Sequence, residues 1–191
     1  MTTVIRERDI EFRFGESWTV LKYDESREYI NGIRKLSGVW KIDQAGKKHN
    51  RGSKGVDILG SRVRTLTLIE VKDYRKASGN YESRIQDVLP FQIGFKACDT
   101  VAGVVGSVRD ASATALHGFA QMLVDSNSSI EIILWLEEPS VTSKAELLRR
   151  KSRLSTATSK LKQCCKWLTD RAFVVNSEEY KRILTDLEVL T

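Results

Sequence analysis

The chain is poor in the residues that announce a special architecture. It has two prolines, three cysteines and two histidines in 191 residues. So little proline, beside 41% hydrophobic residues, excludes collagen-like and proline-rich disordered classes and indicates a globular core. The cysteines, Cys98 and the adjacent pair Cys164-Cys165, form neither a zinc spacing nor a disulfide framework. They read as small core residues of a reducing compartment. His49 and His117 stand far apart with no Cys or His beside them, which argues against a transition-metal site. No apolar run reaches the 18 or more residues of a membrane span, and Met1–Arg8 is charged where a signal peptide needs an apolar segment. The expectation is a soluble, cytoplasmic single domain over residues 1–191 with no membrane partner. Also missing are a Walker-type glycine loop, G-x-S-x-G, H-E-x-x-H and a dinucleotide fingerprint.

What is present centres on Gly55–Leu59 and Thr65–Tyr74. Thr65-Leu66-Thr67-Leu68-Ile69-Glu70-Val71-Lys72 reads as a strand buried on both faces, with a shorter strand before it and a turn starting at Gly60-Ser61. Alternation puts Glu70 and Lys72 on one side. An antiparallel hairpin centred between Val63 and Arg64 sets Asp57 opposite Glu70, with Cβ atoms about 5 Å apart. Two carboxylates that close repel unless a cation or proton lies between them. A divalent-metal site with a lysine beside it is one reading, and an ion pair within a sheet is the other.

Asp57 followed by Glu70-Val71-Lys72 at the end of an apolar strand resembles the PD-(D/E)xK nuclease superfamily in its E-x-K form, over roughly Tyr23 to Leu136. Val56 stands where the motif's name has proline. Lys22-Tyr23-Asp24, Val56-Asp57-Ile58, Ile69-Glu70-Val71-Lys72-Asp73 and Lys96–Gly103 further resemble an uncharacterised bacterial group within that superfamily. The resemblance implies an α/β fold of the restriction-endonuclease-like kind: a central mixed sheet with an antiparallel meander, flanked by helices. It implies Mg2+ or Mn2+ held by Asp57, Glu70 and the Val71 carbonyl, with Lys72 orienting the attacking water, in a nuclease acting on DNA. Host defence and repair are that superfamily's usual employment. A helix before the catalytic strands often adds an acidic residue there, with Glu28 first and Asp24 or Glu25 close behind; otherwise these residues complement the helix dipole. The helix after the E-x-K strand can turn polar groups toward the site, here Lys96 and Asp99, which could instead form a surface ion pair. The alternative function is an inactive module of the same fold that binds nucleic acid or a protein. A second copy of the chain is a further expected partner.

Charge points to a polyanion. Lys144–Asp170 holds eight basic and two acidic residues, the whole excess of the +6 chain. Arg149, Arg150 and Arg153 are its densest part. Lys47, Lys48, Arg51 and Lys54 lie in a second basic stretch, read as a polar loop from Gln44 to Lys54. Both read as nucleic-acid contacts or as solvated surface.

For the rest of the chain, alternation predicts paired strands at Ile10–Phe14 and Trp18–Tyr23. A helix capped by Asp24 runs to Leu36, and Val39–Asp43 is a short strand. One helix runs from about Arg84 or Pro90 to Val108, with Phe91, Phe95, Cys98, Val101, Ala102 and Val105 near one face and Ala97, Ala102, Gly103 and Gly106 suited to close packing. A further helix reaches Val124, Ile130–Leu136 is a buried strand, and a basic helix capped by Ser143 reaches Leu168. Ala172–Asn176 closes as a strand and Ser177–Leu187 as a helix.

Overall fold

Strand alternation at the middle of the chain builds the centre of the fold. In the computed structural model, which describes residues 2–42, 44, 48–77, 81–110 and 112–191, β6 (Ile58–Arg62) and β7 (Thr65–Asp73) form an antiparallel hairpin. Its register runs from Ile58 opposite Ile69 to Arg62 opposite Thr65, as the centre between Val63 and Arg64 requires. The turn is Val63-Arg64, and Gly60 and Ser61 belong to the strand. Val63 adopts a φ of 53°, a left-handed conformation that a β-branched residue seldom takes.

β7 then pairs in parallel with β8 (Ser129–Glu137), and β8 with β9 (Ala172–Val175). On the other side β6 pairs antiparallel with β3 (Trp18–Lys22). The result is a mixed α/β fold around a five-stranded mixed sheet in the order β3-β6-β7-β8-β9.

Period-two alternation sends side chains of β7 and β8 into two separate cores. Leu66, Leu68, Ile132, Leu134 and Leu136 face one side with residues of helices α2 (Tyr81–Asp87), α3 (Leu89–Ser107), α4 (Thr114–Val124) and α5 (Lys144–Cys165). Ile69, Val71, Ile133 and Trp135 face the other. That side is covered by a second sheet of β1 (Thr3–Glu7), β2 (Ile10–Phe14) and β10 (Leu187–Leu190), in the order β1-β2-β10. Phe12 meets Trp135 edge-on at 5.0 Å between ring centroids. The chain is thus three layers, with the central sheet dry on both faces. Among the described residues no single helix is long and apolar enough to cross a membrane; α2 and α3 reach that size only together, bent by 52°.

Several expectations are corrected. Ile10–Phe14 pairs with β1 and β10, not with Trp18–Lys22, because the latter is an edge strand of the main sheet. The helix expected over Asp24–Leu36 is a 3-10 turn, a short α1 (Arg27–Asn31) and another 3-10 turn, and its cap is Ser26, whose Oγ accepts from the Tyr29 N–H. The Gln44–Lys54 stretch is not all loop, since β5 (Lys48–Gly52) pairs with β4 (Ser37–Ile42). Ser177–Leu187 is not a helix: a single 3-10 turn at Tyr180–Arg182 tucks Tyr180 against Trp135 before Asp186, at φ 56°, turns the chain into β10. The Phe91–Val105 stripe is the outer face of α3, and its buried face is Leu89, Ile93, Gly94, Ala97, Thr100 and Val104. Close packing does occur there, because a Cβ on Gly94 would stand 3.0 Å from the Cys164 Cβ, whereas Ala102 and Gly106 are exposed.

The basic helix α5 begins as expected, with the Ser143 Oγ accepting from the Glu146 N–H. Its arginines are placed otherwise. Arg153 donates to the buried Glu138 at 2.6 and 3.0 Å and pairs with Glu82 at 2.9 Å, while Arg150 lies 3.4 Å from the same Glu138 carboxylate. These two arginines lock α5 to the end of β8 and are not available as nucleic-acid contacts. Arg149 remains exposed. Arg153→Ala leaves a buried carboxylate without its main partner and should destabilise by about 3–5 kcal/mol. Arg149→Ala should stay within about 0.5 kcal/mol of wild type. Urea unfolding of both variants measures the difference, and equal midpoints would show that the Glu138 cluster does not hold the helix.

Candidate active site

The site is assembled by the hairpin and by α3. Asp57 lies one residue beyond the last β6–β7 ladder pair, and its Oδ2 accepts from the Val71 N–H at 2.7 Å. The loop that delivers it is tied down just ahead of Asp57: Val56 N–H donates to the Thr100 Oγ1 at 3.0 Å, and Gly55 N–H to the Tyr29 hydroxyl at 3.1 Å. Glu70 is buried on the helix-facing side of β7. Lys72, two residues on, donates to Glu70 Oε1 and, at 3.1 Å, to the Val71 carbonyl.

The opposing charge comes from the helix layer as well as from the strand. Lys96 on α3 donates to both Glu70 oxygens at 2.7 Å and lies 3.6 Å from Asp57 Oδ1. Of the two readings for Lys96, the structure takes the inward one. Asp99 stays outside, where its Oδ2 accepts from the Lys54 N–H at 2.9 Å. The cluster therefore holds two carboxylates and two ammonium groups. Burial and the neighbouring Asp57 charge push the Glu70 pKa up, with Lys72 and Lys96 pulling against them. Burial disfavours the Lys96 charge too, but Glu70 and Asp57 outweigh it and hold that pKa above the ordinary lysine value.

The acidic neighbour is Asp24, not Glu28 or Glu25. Burial, and next the charge of Asp57, raise the Asp24 pKa to about 6, and its Oδ1 is buried without a hydrogen-bond partner. Glu25 pairs with Lys22, and Glu28 lines a separate hollow with Arg27 and Asp110. The broken helix explains the outcome. The 3-10 turn at Tyr23–Glu25 keeps Asp24 near the hairpin end, whereas α1 carries Glu28 away.

The cluster opens on a cleft of about 660 Å³. Its cationic lining is Arg8, Lys54, Lys72, Arg84 and Lys96, against Glu70 and Asp99. Only Lys54, Lys72 and Lys96 were singled out in the sequence. Arg8 sits in the β1–β2 turn and Arg84 on α2, so no run of basic residues marks either one. Lys47 lies outside the described residues, and Lys48 and Arg51 are placed on β5 by backbone alone.

The donors Asp57, Glu70 and the Val71 carbonyl are hard oxygens. Magnesium asks for one or two carboxylates, with waters and substrate oxygens completing its shell, so this set fits such an ion. Among the described residues no group of three or more His, Cys, Asp or Glu side chains could hold a metal ion. The fit is thus to an ion completed by water and phosphate, and not to a closed structural site. A cation there has to displace Lys72 from the Val71 carbonyl and share Glu70 with Lys96.

No protein-family model matches the chain. No solved structure matches it either. The chain is similar to a cysteine–tRNA ligase from Neisseria meningitidis serogroup A / serotype 4A (strain DSM 15465 / Z2491), with 33% identity over 184 residues covering 85% of this chain and 26% of the relative. It spans about a quarter of that relative's length.

Asp24 gives the site a pH signature. Its folded pKa of about 6 lies above the ordinary 3.8, so the folded state prefers the protonated form. Its favourable contribution is complete below pH 3.8 and is lost as pH rises through about 6. Asp24→Asn removes that loss, so the variant should melt higher than wild type at pH 7 and match it near pH 4. Thermal midpoints from pH 4 to 7.5 test this, and parallel curves for the two proteins would place Asp24 in solvent.

Proposed function

We propose that this chain is a metal-dependent nuclease with a restriction-endonuclease-like core. The observation that carries the reading is the meeting of Glu70, Lys72 and Lys96 on the wall of a basic cleft, with the buried Asp57 3.6 Å from Lys96. The mixed sheet supports it, because its central strand ends in the E-x-K residues and α3 packs across them. In this reading Asp57, Glu70 and the Val71 carbonyl hold Mg2+ or Mn2+. When bound, the ion supplies Lewis acidity and a neutralising charge at the scissile phosphate.

The chain's own groups do the rest. The Val71 N–H fixes one oxygen of the Asp57 carboxylate, and the other lies 3.6 Å from the Lys96 ammonium. Lys72, a compact cation on a flexible stem, orients the attacking water and stabilises charge building on the phosphate. Lys96 keeps Glu70 ionised in its buried position and adds a second cation to the wall. Arg8, Lys54 and Arg84 hold the sugar-phosphate backbone without reading bases. The substrate is a polynucleotide, with DNA as the first candidate. The similar protein's name concerns tRNA, which makes RNA the second.

One observation favours a different reading. Lys72 and Lys96 already satisfy Glu70, and Lys72 satisfies the Val71 carbonyl, so the cluster is neutralised without any metal. That suits a nucleic-acid-binding module which keeps the fold and does no chemistry.

The test uses plasmid DNA and a tRNA, each with Mg2+, Mn2+ or EDTA. Cleavage should need the metal, and Lys72→Ala should slow it by a factor on the order of 100 or more in single turnover. Mg2+ should raise the melting temperature of wild type, and Glu70→Gln should abolish that response. Salt-sensitive binding with no cleavage of either substrate would select the binding module. No metal response in wild type would remove the site assignment.

A further inference from the structure

A second hollow, of about 410 Å³, adjoins the cleft, and Gly52, Lys54 and Lys96 line both. The nuclease reading uses the two lysines and leaves Asp24, Tyr29, Arg34 and Ser53 of the same wall without a role. That wall is held from behind. Four successive amides on the way into Asp57 are bonded: Ser53 N–H donates to the Leu36 carbonyl at 3.0 Å, Lys54 to Asp99, Gly55 to the Tyr29 hydroxyl and Val56 to Thr100. The Tyr29 hydroxyl donates in turn to the Ser53 carbonyl at 3.3 Å. The backbone is thus fixed, and side chains are what remains to meet a ligand.

Two of those side chains are unsatisfied. Ser53 is 9% exposed, and its Oγ has no hydrogen-bond partner although its N–H and carbonyl both have one. The Asp24 Oδ1 is buried in the same condition. Buried polar groups are seldom left unpaired, so two on one wall ask for a common partner. The exposed Arg34 and Lys54 stand beside them. The hollow therefore offers a carboxylate, a hydroxyl and two cations.

We infer that the hollow is a nucleotide subsite next to the reacting phosphate, in which Arg34 and Lys54 hold a backbone phosphate and Asp24 with Ser53 holds the 2′-hydroxyl of a ribose. The chemistry of the unsatisfied pair selects this group. A carboxylate only accepts, while a serine hydroxyl donates as well as accepts. A group that gives a proton to the first and takes one from the second is itself a hydroxyl. An exocyclic base amine only donates and would leave the Ser53 proton unused. A phosphate only accepts and is repelled by Asp24. The 2′-hydroxyl is also the group by which a protein tells RNA from DNA. A deoxyribose in the hollow would leave both buried groups unpaired, and a site of that kind rejects the analogue that lacks the hydroxyl. Position agrees with chemistry. Sugar and phosphate alternate along a strand, so a phosphate held by Lys72 and Lys96 brings its neighbouring nucleotide to the shared wall. The inference rests on the polynucleotide reading of the cleft and selects RNA within it.

Binding without turnover tests it. Fluorescence anisotropy in EDTA compares a labelled oligouridylate with the same sequence in deoxyribose form and in 2′-fluoro form, which lacks the hydroxyl proton. Wild type should bind the ribose probe about tenfold or more tighter than either of the others, the usual worth of a hydrogen bond to a charged group. Asp24→Ala and Ser53→Ala should each bring the ribose probe toward the deoxyribose level and leave the deoxyribose probe unchanged. Arg34→Ala should weaken all three alike, because a phosphate contact does not report the sugar. Melting temperatures check the fold of the variants, and the 2′-fluoro comparison needs no variant. Equal binding of the three probes by wild type overturns the inference. A ribose preference that survives Asp24→Ala overturns it as well. So does loss of the Mg2+-induced melting shift in Asp24→Ala, which would make that carboxylate a metal ligand. No binding of any probe removes the polynucleotide reading itself, whereas binding without a ribose preference removes this inference alone.

Discussion

Two carboxylates at the end of a strand that is dry on both faces cannot both stay ionised without cations beside them. That constraint organises the helix layer. Glu70 is on the helix-facing side of β7, so its compensating charge has to come from the strand itself or from the helix above it, and it comes from both. Lys72 reaches back along the strand, and Lys96 reaches down from α3. To bring Lys96 within 2.7 Å, α3 must lie close over the sheet. Two glycines seat α3 closely against its other neighbours: a Cβ on Gly94 would stand 3.0 Å from the Cys164 Cβ, and one on Gly103 2.4 Å from the Tyr23 hydroxyl. Thr100, one turn beyond Lys96, then holds the loop that delivers Asp57. Charge compensation and helix docking are thus one arrangement.

The hairpin and its register were legible in the sequence because a strand buried on both faces leaves only one way to place its charges. The same holds for β8, an unbroken apolar run, and for α5, whose start is written in Ser143 and Glu146. What could not be read was pairing between distant segments. The pattern at Ile10–Phe14 says that one face is buried, but not that β1 and β10 lie on either side of it. At Ser177–Leu187 the local spacing suits a helix, and the docking of Tyr180 on Trp135 together with the turn at Asp186 overrides it. On α3, apolar residues occupy both faces, so periodicity alone could not say which one the sheet would cover. The choice falls to the face with Gly94 and Ala97, because the wider phenylalanine face does not let the helix reach Cys164 or Glu70.

Charge was the least legible property, since proximity in sequence is a poor guide to the field at a surface. The densest basic stretch in the chain spends Arg150 and Arg153 on Glu138, and Lys160 on Asp87. The cationic cleft draws instead on Arg8, Lys54, Lys72, Arg84 and Lys96 from separate parts of the fold. Its charge is a product of topology. A count of basic residues along the chain could find the excess but not its location.

The two buried ionic clusters differ in a way that bears on function. Around Glu138, the arginine side chains are 8–9% exposed and the carboxylate 1%, so the group is closed off and serves to fasten α5. Around Glu70 the lysines are each 20% exposed and line an open cleft. A buried ion cluster is a costly way to gain stability, because well-packed apolar residues of similar size do as well or better. Fastening accounts for the arginine cluster, which joins two elements through forked hydrogen bonds. It accounts for Lys96, which joins α3 to β7, but not for Lys72, whose hydrogen bonds go only to its own strand. Flexible ammonium groups set on a fixed carboxylate at an open wall can trade one anion for another. Arginine, with its rigid fork, is the poorer group for such an exchange. Lysine at the cleft and arginine beneath α5 therefore give one ionic cluster that lines an open cavity and one that is closed off.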